Sequence, residues 1–108
     1  MLQSFQTHLY QEGKAKSTIN EYRRRLDKYN TYLIGIEIEV YEAATRDLIE
    51  IREIMLLNGL SVRRINQIFS TVRVYYDFLL LHGKVEHNPV IHALHMTPTN
   101  NRIEQLSK

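Results

Sequence analysis

The amino-acid sequence predicts a small all-α domain, an orthogonal bundle of four to five helices. Its 108 residues, 44% of them hydrophobic, are enough for one modest core. Apolar residues recur every three or four positions in four separate segments, which is the period of amphipathic helices. Only residues 34–40 alternate with the period of a strand, and no second stretch of the sequence could pair with them.

The first two helices follow from their apolar spacing and their ends. The first covers residues 2–12 and is ended by Gly13, because glycine readily adopts the conformation that closes a helix. The second starts at Ser17 or Thr18, both good N-cap residues, and runs to residue 33. Residues 34–40 are then expected to form an extended connector whose isoleucines cover the edge of the core.

The last two helices have clearer start and stop signals in the sequence. The third begins after Thr45 as its cap and ends at Asn58-Gly59. The fourth opens at Ser61 and runs to about residue 82, where Gly83 stops it. After Pro89 the chain turns polar and irregular. The sequence therefore predicts a folded domain over residues 1–90 and a polar linker over residues 91–108.

The amino-acid composition argues against several classes of protein and site. The absence of cysteine excludes disulfides and thiolate metal sites, and it suits a reducing cytoplasm. No apolar run reaches membrane-spanning length, so a soluble cytoplasmic protein is predicted. His92 and His95 are three residues apart, but no third ligand completes a metal set, so no metal or cofactor is expected. Nothing in the sequence forms a catalytic constellation.

The charges are segregated along the chain. Residues 13–33 hold six basic and two acidic side chains, net +4, and residues 34–58 hold two basic and six acidic, net −4. Residues 59–84 return to four basic and one acidic, net +3. Such segregation indicates one face of positive potential, formed by the second and fourth helices.

The polar face of the fourth helix has an unusual composition. With a step of 100° per residue, the side facing away from the apolar line contains neither Glu nor Lys. Arginine and amide side chains donate to phosphates and read base edges, so this face is a candidate DNA contact, although a plain solvated surface remains the alternative. Its members are Arg63, Asn66, Gln67, Ser70 and Arg73.

The start of the second helix is a candidate phosphate site. A helix N-terminus favours anions, and here two lysines precede two hydroxyl residues. A capped helix with solubilising lysines is the alternative. Arg25 is expected to point to solvent on another flank. The candidates for phosphate contact are Lys14, Lys16, Ser17 and Thr18, while Arg24 lies opposite the core line of the same helix, with Arg23 on its flank.

Three motifs carry a resemblance to a known family. The run S-T-I-x-x-Y-x-x-x-L at 17–26, the sequence Thr-Arg-Asp-Leu at 45–48, and S-T-V-R-V-Y-Y-D-F-L-L at 70–80 occur in this order. Together they resemble the core-binding domain of tyrosine recombinases, the phage-integrase and Xer-like enzymes. The likeness covers about residues 1–90, and the order and spacing of the motifs are more specific than any one of them.

The resemblance implies a SAM-like bundle that forms half of a clamp around duplex DNA, with the second and fourth helices facing the DNA. It also implies other recombinase protomers as partners, contacted through the first helix, and a monomer when the domain is isolated. A basic residue is common in the family where this chain has Gln67, which implies weaker phosphate contact there. The family's catalytic array belongs to a second domain and is not found here, so a non-enzymatic, excised DNA-binding domain is expected.

Two other classes stay open at this point. A transcriptional regulator of the helix-turn-helix kind would also present basic helices, with Gly59-Leu60 as its turn. A helical protein-interaction module would instead use the acidic third helix as its docking surface. The interaction module predicts no DNA binding at low salt, whereas the recombinase domain and the transcriptional regulator both predict binding.

Overall fold

The computed structural model describes residues 2–96, and all of their regular secondary structure is helical. No strand occurs among these residues, which confirms the predicted all-α class. Short 3₁₀ helices lie at Val40–Glu42 and His92–Leu94. The four α-helices are α1 Leu2–Gln11, α2 Lys16–Gly35, α3 Thr45–Leu57 and α4 Val62–Leu81.

The start of α2 differs from the prediction. Ala15, with an extended backbone, is the N-cap residue, and its carbonyl accepts the amide of Ile19 at 3.0 Å. Ser17 and Thr18 therefore lie inside the first turn, and the prediction that either one caps the helix is wrong. Their hydroxyls suggested a cap, but a favourable cap residue does not fix where a helix begins when the chain can extend the helix by two or three residues.

The start of α3 is capped by a carboxylate. Asp47 accepts the amide of Ala44 at 2.8 Å, where the helix dipole also favours its charge. Thr45 is the first helical residue and not the cap that was predicted. Its hydroxyl instead donates to the carbonyl of Pro89 at 2.8 Å and fastens the end of the chain to α3.

The predicted ends of α4 are confirmed. The Ser61 hydroxyl accepts the amide of Arg64 at 3.1 Å, and the helix closes before Gly83, whose φ of +68° lies in the region that favours glycine. The connector before α3 is only partly as expected. Ile36 and Ile38 pack on the core, but α2 runs through Gly35, which leaves Ile34 68% exposed.

The core is organised around α4. Phe5 of α1 stacks against Tyr75 at a ring-centroid distance of 5.0 Å, and Tyr29 of α2 packs edge-on against Tyr76 at 6.2 Å. Because the Tyr76 hydroxyl donates to the Val40 carbonyl at 2.7 Å, the Tyr29 hydroxyl donates to Tyr76 at 2.8 Å. Burial raises the pKa of Tyr76 to about 12 and that of Tyr29 further. Both phenols therefore stay protonated at neutral pH.

The end of the described chain is packed rather than frayed. Residues 88–96, called the C-terminal segment below, run back along α3 and α4. Leu94 is 1% exposed, and Arg52 of α3 donates to its carbonyl at 3.1 Å. The expectation of an irregular tail is therefore wrong for residues 91–96, because one apolar anchor and side-chain hydrogen bonds order a stretch that has no periodic pattern. The rest of the predicted linker, 97–108, lies outside the described residues.

Candidate nucleic-acid interface

The N-terminus of α2 has no side-chain cap. The side chain of its cap residue, Ala15, has no acceptor, so the first amides of the helix are free of side-chain partners within residues 2–96. In α4, by contrast, the Ser61 hydroxyl caps the helix by accepting the amide of Arg64, and in α3 the Asp47 carboxylate accepts the amide of the cap residue Ala44. Lys14 and Lys16 are exposed beside these amides. Free amides, the positive end of the helix dipole and two ammonium groups together favour an anion at this position.

Arg25 joins the two basic helices. Its guanidinium donates from Nη1 to the buried hydroxyl of Thr71 on α4 at 3.2 Å, and Nη2 lies 3.8 Å from a carboxylate oxygen of Glu21. The side chain is only 23% exposed. The expectation that Arg25 points to solvent is therefore wrong. The residue instead fixes α2 against α4, which brings the two positively charged segments of the sequence together.

Glu21 is the acidic group at this junction. Arg24 donates a hydrogen bond to it, and that bond, together with the positive charges of Arg24, Arg25 and Arg64, holds the pKa of Glu21 below its usual range. The Glu21 carboxylate is paired with Arg24 and Arg25 and partly offsets their positive charge.

The exposed face of α4 keeps most of its predicted members. Arg63, Ser70 and Arg73 are exposed, and Gln67 is half-buried. Asn66 does not belong to this face, because it is only 8% exposed. Its amide nitrogen donates to the Met96 carbonyl at 2.7 Å, and its amide oxygen accepts the Met96 amide at 3.0 Å, so both polar ends of the side chain are occupied.

The remaining predicted residues lie on α2. Lys14, Lys16 and Ser17 are exposed and Thr18 is half-buried at the helix start, while Arg23 and Arg24 are exposed about one turn later. The sequence reasoning missed Arg25 and Arg64 as residues of the junction. Both directly precede a core residue, Leu26 and Ile65 respectively, and that position at the border of an apolar line is the signal that could have identified them.

A known protein family matches most of this chain. The family described as "Phage integrase, N-terminal SAM-like domain" matches residues 2–83. The chain belongs to this family of recombinase N-terminal domains. Membership confirms the resemblance found in the three sequence motifs, and it favours a recombinase over the helix-turn-helix and interaction-module alternatives.

Similar full-length proteins carry the same class of name. The chain is 28% identical to the tyrosine recombinase XerD of Rickettsia conorii over 85 residues, which cover 79% of this chain and 28% of the relative. It is 32% identical to the tyrosine recombinase XerA of Pyrococcus furiosus over 93 residues, 84% of this chain and 30% of the relative. The chain thus spans less than a third of the length of these relatives. No solved structure matches the chain significantly.

None of the helices within residues 2–96 is both long and apolar enough to span a membrane. Within the same part of the chain, no three histidine or carboxylate side chains come together in a group that could hold a metal ion.

Proposed function

We propose that this chain is the segment of a tyrosine recombinase that binds duplex DNA at the recombination site. The observation that carries the proposal is the junction of α2 and α4 through Arg25 and Thr71. This contact places the uncapped N-terminus of α2 and the exposed arginines of α4 on adjoining helices. The fitting partner is the phosphate backbone of duplex DNA.

The contacts divide into two groups. Lys14, Lys16 and the free amides of the first turn of α2 bind a backbone phosphate, joined by the Ser17 and Thr18 hydroxyls and by Arg23 and Arg24. On α4, Arg63, Gln67, Ser70 and Arg73 face the DNA, with the amide and guanidinium groups able to reach base edges. Asn66 is left out, because its amide is bound to the C-terminal segment.

The role proposed for this chain is binding and not catalysis. The sequence contains no His-x-x-Arg pair of the kind expected in the catalytic domain of the family. Assembly with other recombinase protomers on DNA, a monomeric state of the isolated chain, and a cytoplasmic location belong to the same proposal. Sedimentation of the isolated chain without DNA should therefore give the mass of a monomer.

A titration with fluorescent duplex DNA at several salt concentrations tests the proposal. Removing two phosphate contacts in the double variant Arg63→Ala/Arg73→Ala should lower the slope of log affinity against log salt by about 1.8 and weaken binding at low salt more than tenfold. The matched control is Arg46→Ala, an exposed arginine at the start of the acidic α3. Equal affinities for wild type and the double variant would contradict the proposed face.

A further inference from the structure

A cleft of about 410 Å³ lies between α4 and the C-terminal segment. It is distinct from the junction of α2 and α4, because Arg25 contacts α4 at Thr71, on the opposite side of the helix from Arg73. An apolar floor of Phe69 and Leu94 underlies a polar rim. The rim consists of Ser70, Arg73, His92 and His95.

The outer wall of this cleft is held in place by several elements. Asn88 donates to the carbonyl of Arg73 at 3.0 Å and to Asp77 at 2.8 Å, and its own amide oxygen accepts the amide of Val90 at 2.9 Å. Further along, Asn66 binds both backbone groups of Met96. These bonds, with the Thr45 and Arg52 contacts described above, attach the C-terminal segment at both ends. The two histidines are therefore presented by an ordered backbone.

The rim offers donors to an anion. Arg73 supplies a guanidinium, and each imidazole and the Ser70 hydroxyl can supply a donor, while no carboxylate lines the cleft. Within residues 2–96, no carboxylate lies within ion-pair distance of Arg73, whereas Arg24 and Arg25 are both paired with Glu21. Ile91, 46% exposed, adds an apolar surface at the edge of the cleft.

We propose that this cleft is a further DNA-backbone site, in which Arg73, His92 and His95 bind a phosphate and Ile91 packs against the adjoining deoxyribose. The C-terminal segment then belongs to the DNA-contact surface instead of being only a connection out of the domain. This inference rests on the proposed function, because it requires that α4 faces DNA. It assigns to His92 and His95 a role as hydrogen-bond donors to a DNA phosphate.

A charge placed at the cleft provides the test. Ile91→Glu puts a carboxylate beside the proposed phosphate position, and its repulsion should weaken binding of a fluorescent duplex about tenfold at low salt. Ile34→Glu is the matched control, because Ile34 is equally apolar, more exposed, and lies at the other end of α2, about 27 Å along the helix from Lys16. The control should bind within twofold of wild type.

A second variant covers the case that Ile91→Glu does not fold, which a thermal melt would reveal. In His92→Ala/His95→Ala both changed side chains are exposed, and the loss of two donors should also weaken binding about tenfold. His87→Ala, an exposed histidine that does not line the cleft, is its control. If wild type binds DNA and the folded cleft variants bind as tightly as their controls, the cleft inference is overturned while the proposed function stands.

Free phosphate could use the same chemistry, so the ligand source is tested separately. The imidazole NMR signals of His92 and His95 should shift on addition of duplex DNA and, at much higher concentration, on addition of inorganic phosphate. Shifts with phosphate but none with saturating duplex would show an anion site that DNA does not use, which overturns the inference. Failure of wild type to bind any duplex at low salt would instead refute the proposed function itself.

Discussion

Substitution of Arg25 by alanine should destabilise the fold more than it changes direct DNA contact. The guanidinium makes a 3.2 Å hydrogen bond to Thr71, whose side chain is almost completely buried. Hydrogen bonds to charged groups contribute about 1.5–3 kcal/mol, and the 23% exposure of Arg25 favours the lower end. We therefore expect the free energy of unfolding to fall by about 1.5 kcal/mol. For a domain of this size, that is a decrease in Tm of about 6–12 °C.

The neighbouring Arg24 is the control for this prediction. It has the same charge, lies on the same helix, and is 69% exposed, with its ion pair to Glu21 formed within one helix. Arg24→Ala should leave Tm nearly unchanged but lower the salt slope of DNA binding by about 0.9. Chemical denaturation, calorimetry and a duplex titration of both variants measure these effects. Equal Tm values for Arg25→Ala and Arg24→Ala would refute the role of Arg25 as the contact between α2 and α4.

Three further predictions concern the polar groups of the fold. Tyr76→Phe should lower the free energy of unfolding by about 2–3 kcal/mol in urea denaturation, more than the roughly 1 kcal/mol of Tyr29→Phe. The reason is that only Tyr76→Phe removes the hydrogen-bond partner of two groups, the Tyr29 hydroxyl and the Val40 carbonyl. Glu21→Gln should tighten duplex binding about threefold in a low-salt titration, because it removes the carboxylate that offsets the arginines. The hydrogen bond from Arg24 holds the folded-state pKa of Glu21 below its usual range, so this pairing stabilises the fold above the unfolded pKa and is lost as pH falls through the lowered pKa. Acid denaturation of Glu21→Gln should lack this component. Asn66→Ala should increase amide hydrogen exchange at Met96 about tenfold, and no increase would contradict the anchoring contact.

The helices and their buried faces could be predicted from sequence because each depends on local spacing. The apolar line of α4 and its ends at Ser61 and Gly83 follow from period and capping alone. The N-cap of α2 was misplaced by two or three residues, since several residues near a helix end can serve as caps. The hydrogen bond between Tyr29 and Tyr76 could not be predicted in this way, because it joins residues 47 positions apart.

The candidate site was predicted less completely, for a physical reason. A helical wheel places Asn66 on a polar face, but only the folded chain shows that the C-terminal segment covers that edge of α4. The same limitation applies to Arg25, whose partner Thr71 lies on another helix. Positions at the border of an apolar line can face either solvent or a neighbouring element, and the periodicity of one helix cannot decide between them.

Backbone amide NMR of the whole chain during titration with duplex DNA tests the central claim most directly, namely that DNA lies across the first half of α2 and the exposed face of α4. At low salt, the largest shift changes should occur at residues 14–24 and 63–73, and they should diminish as salt is raised. The acidic residues of α3 should change little. Shift changes concentrated on α3, or none at a saturating concentration of duplex, would contradict the account.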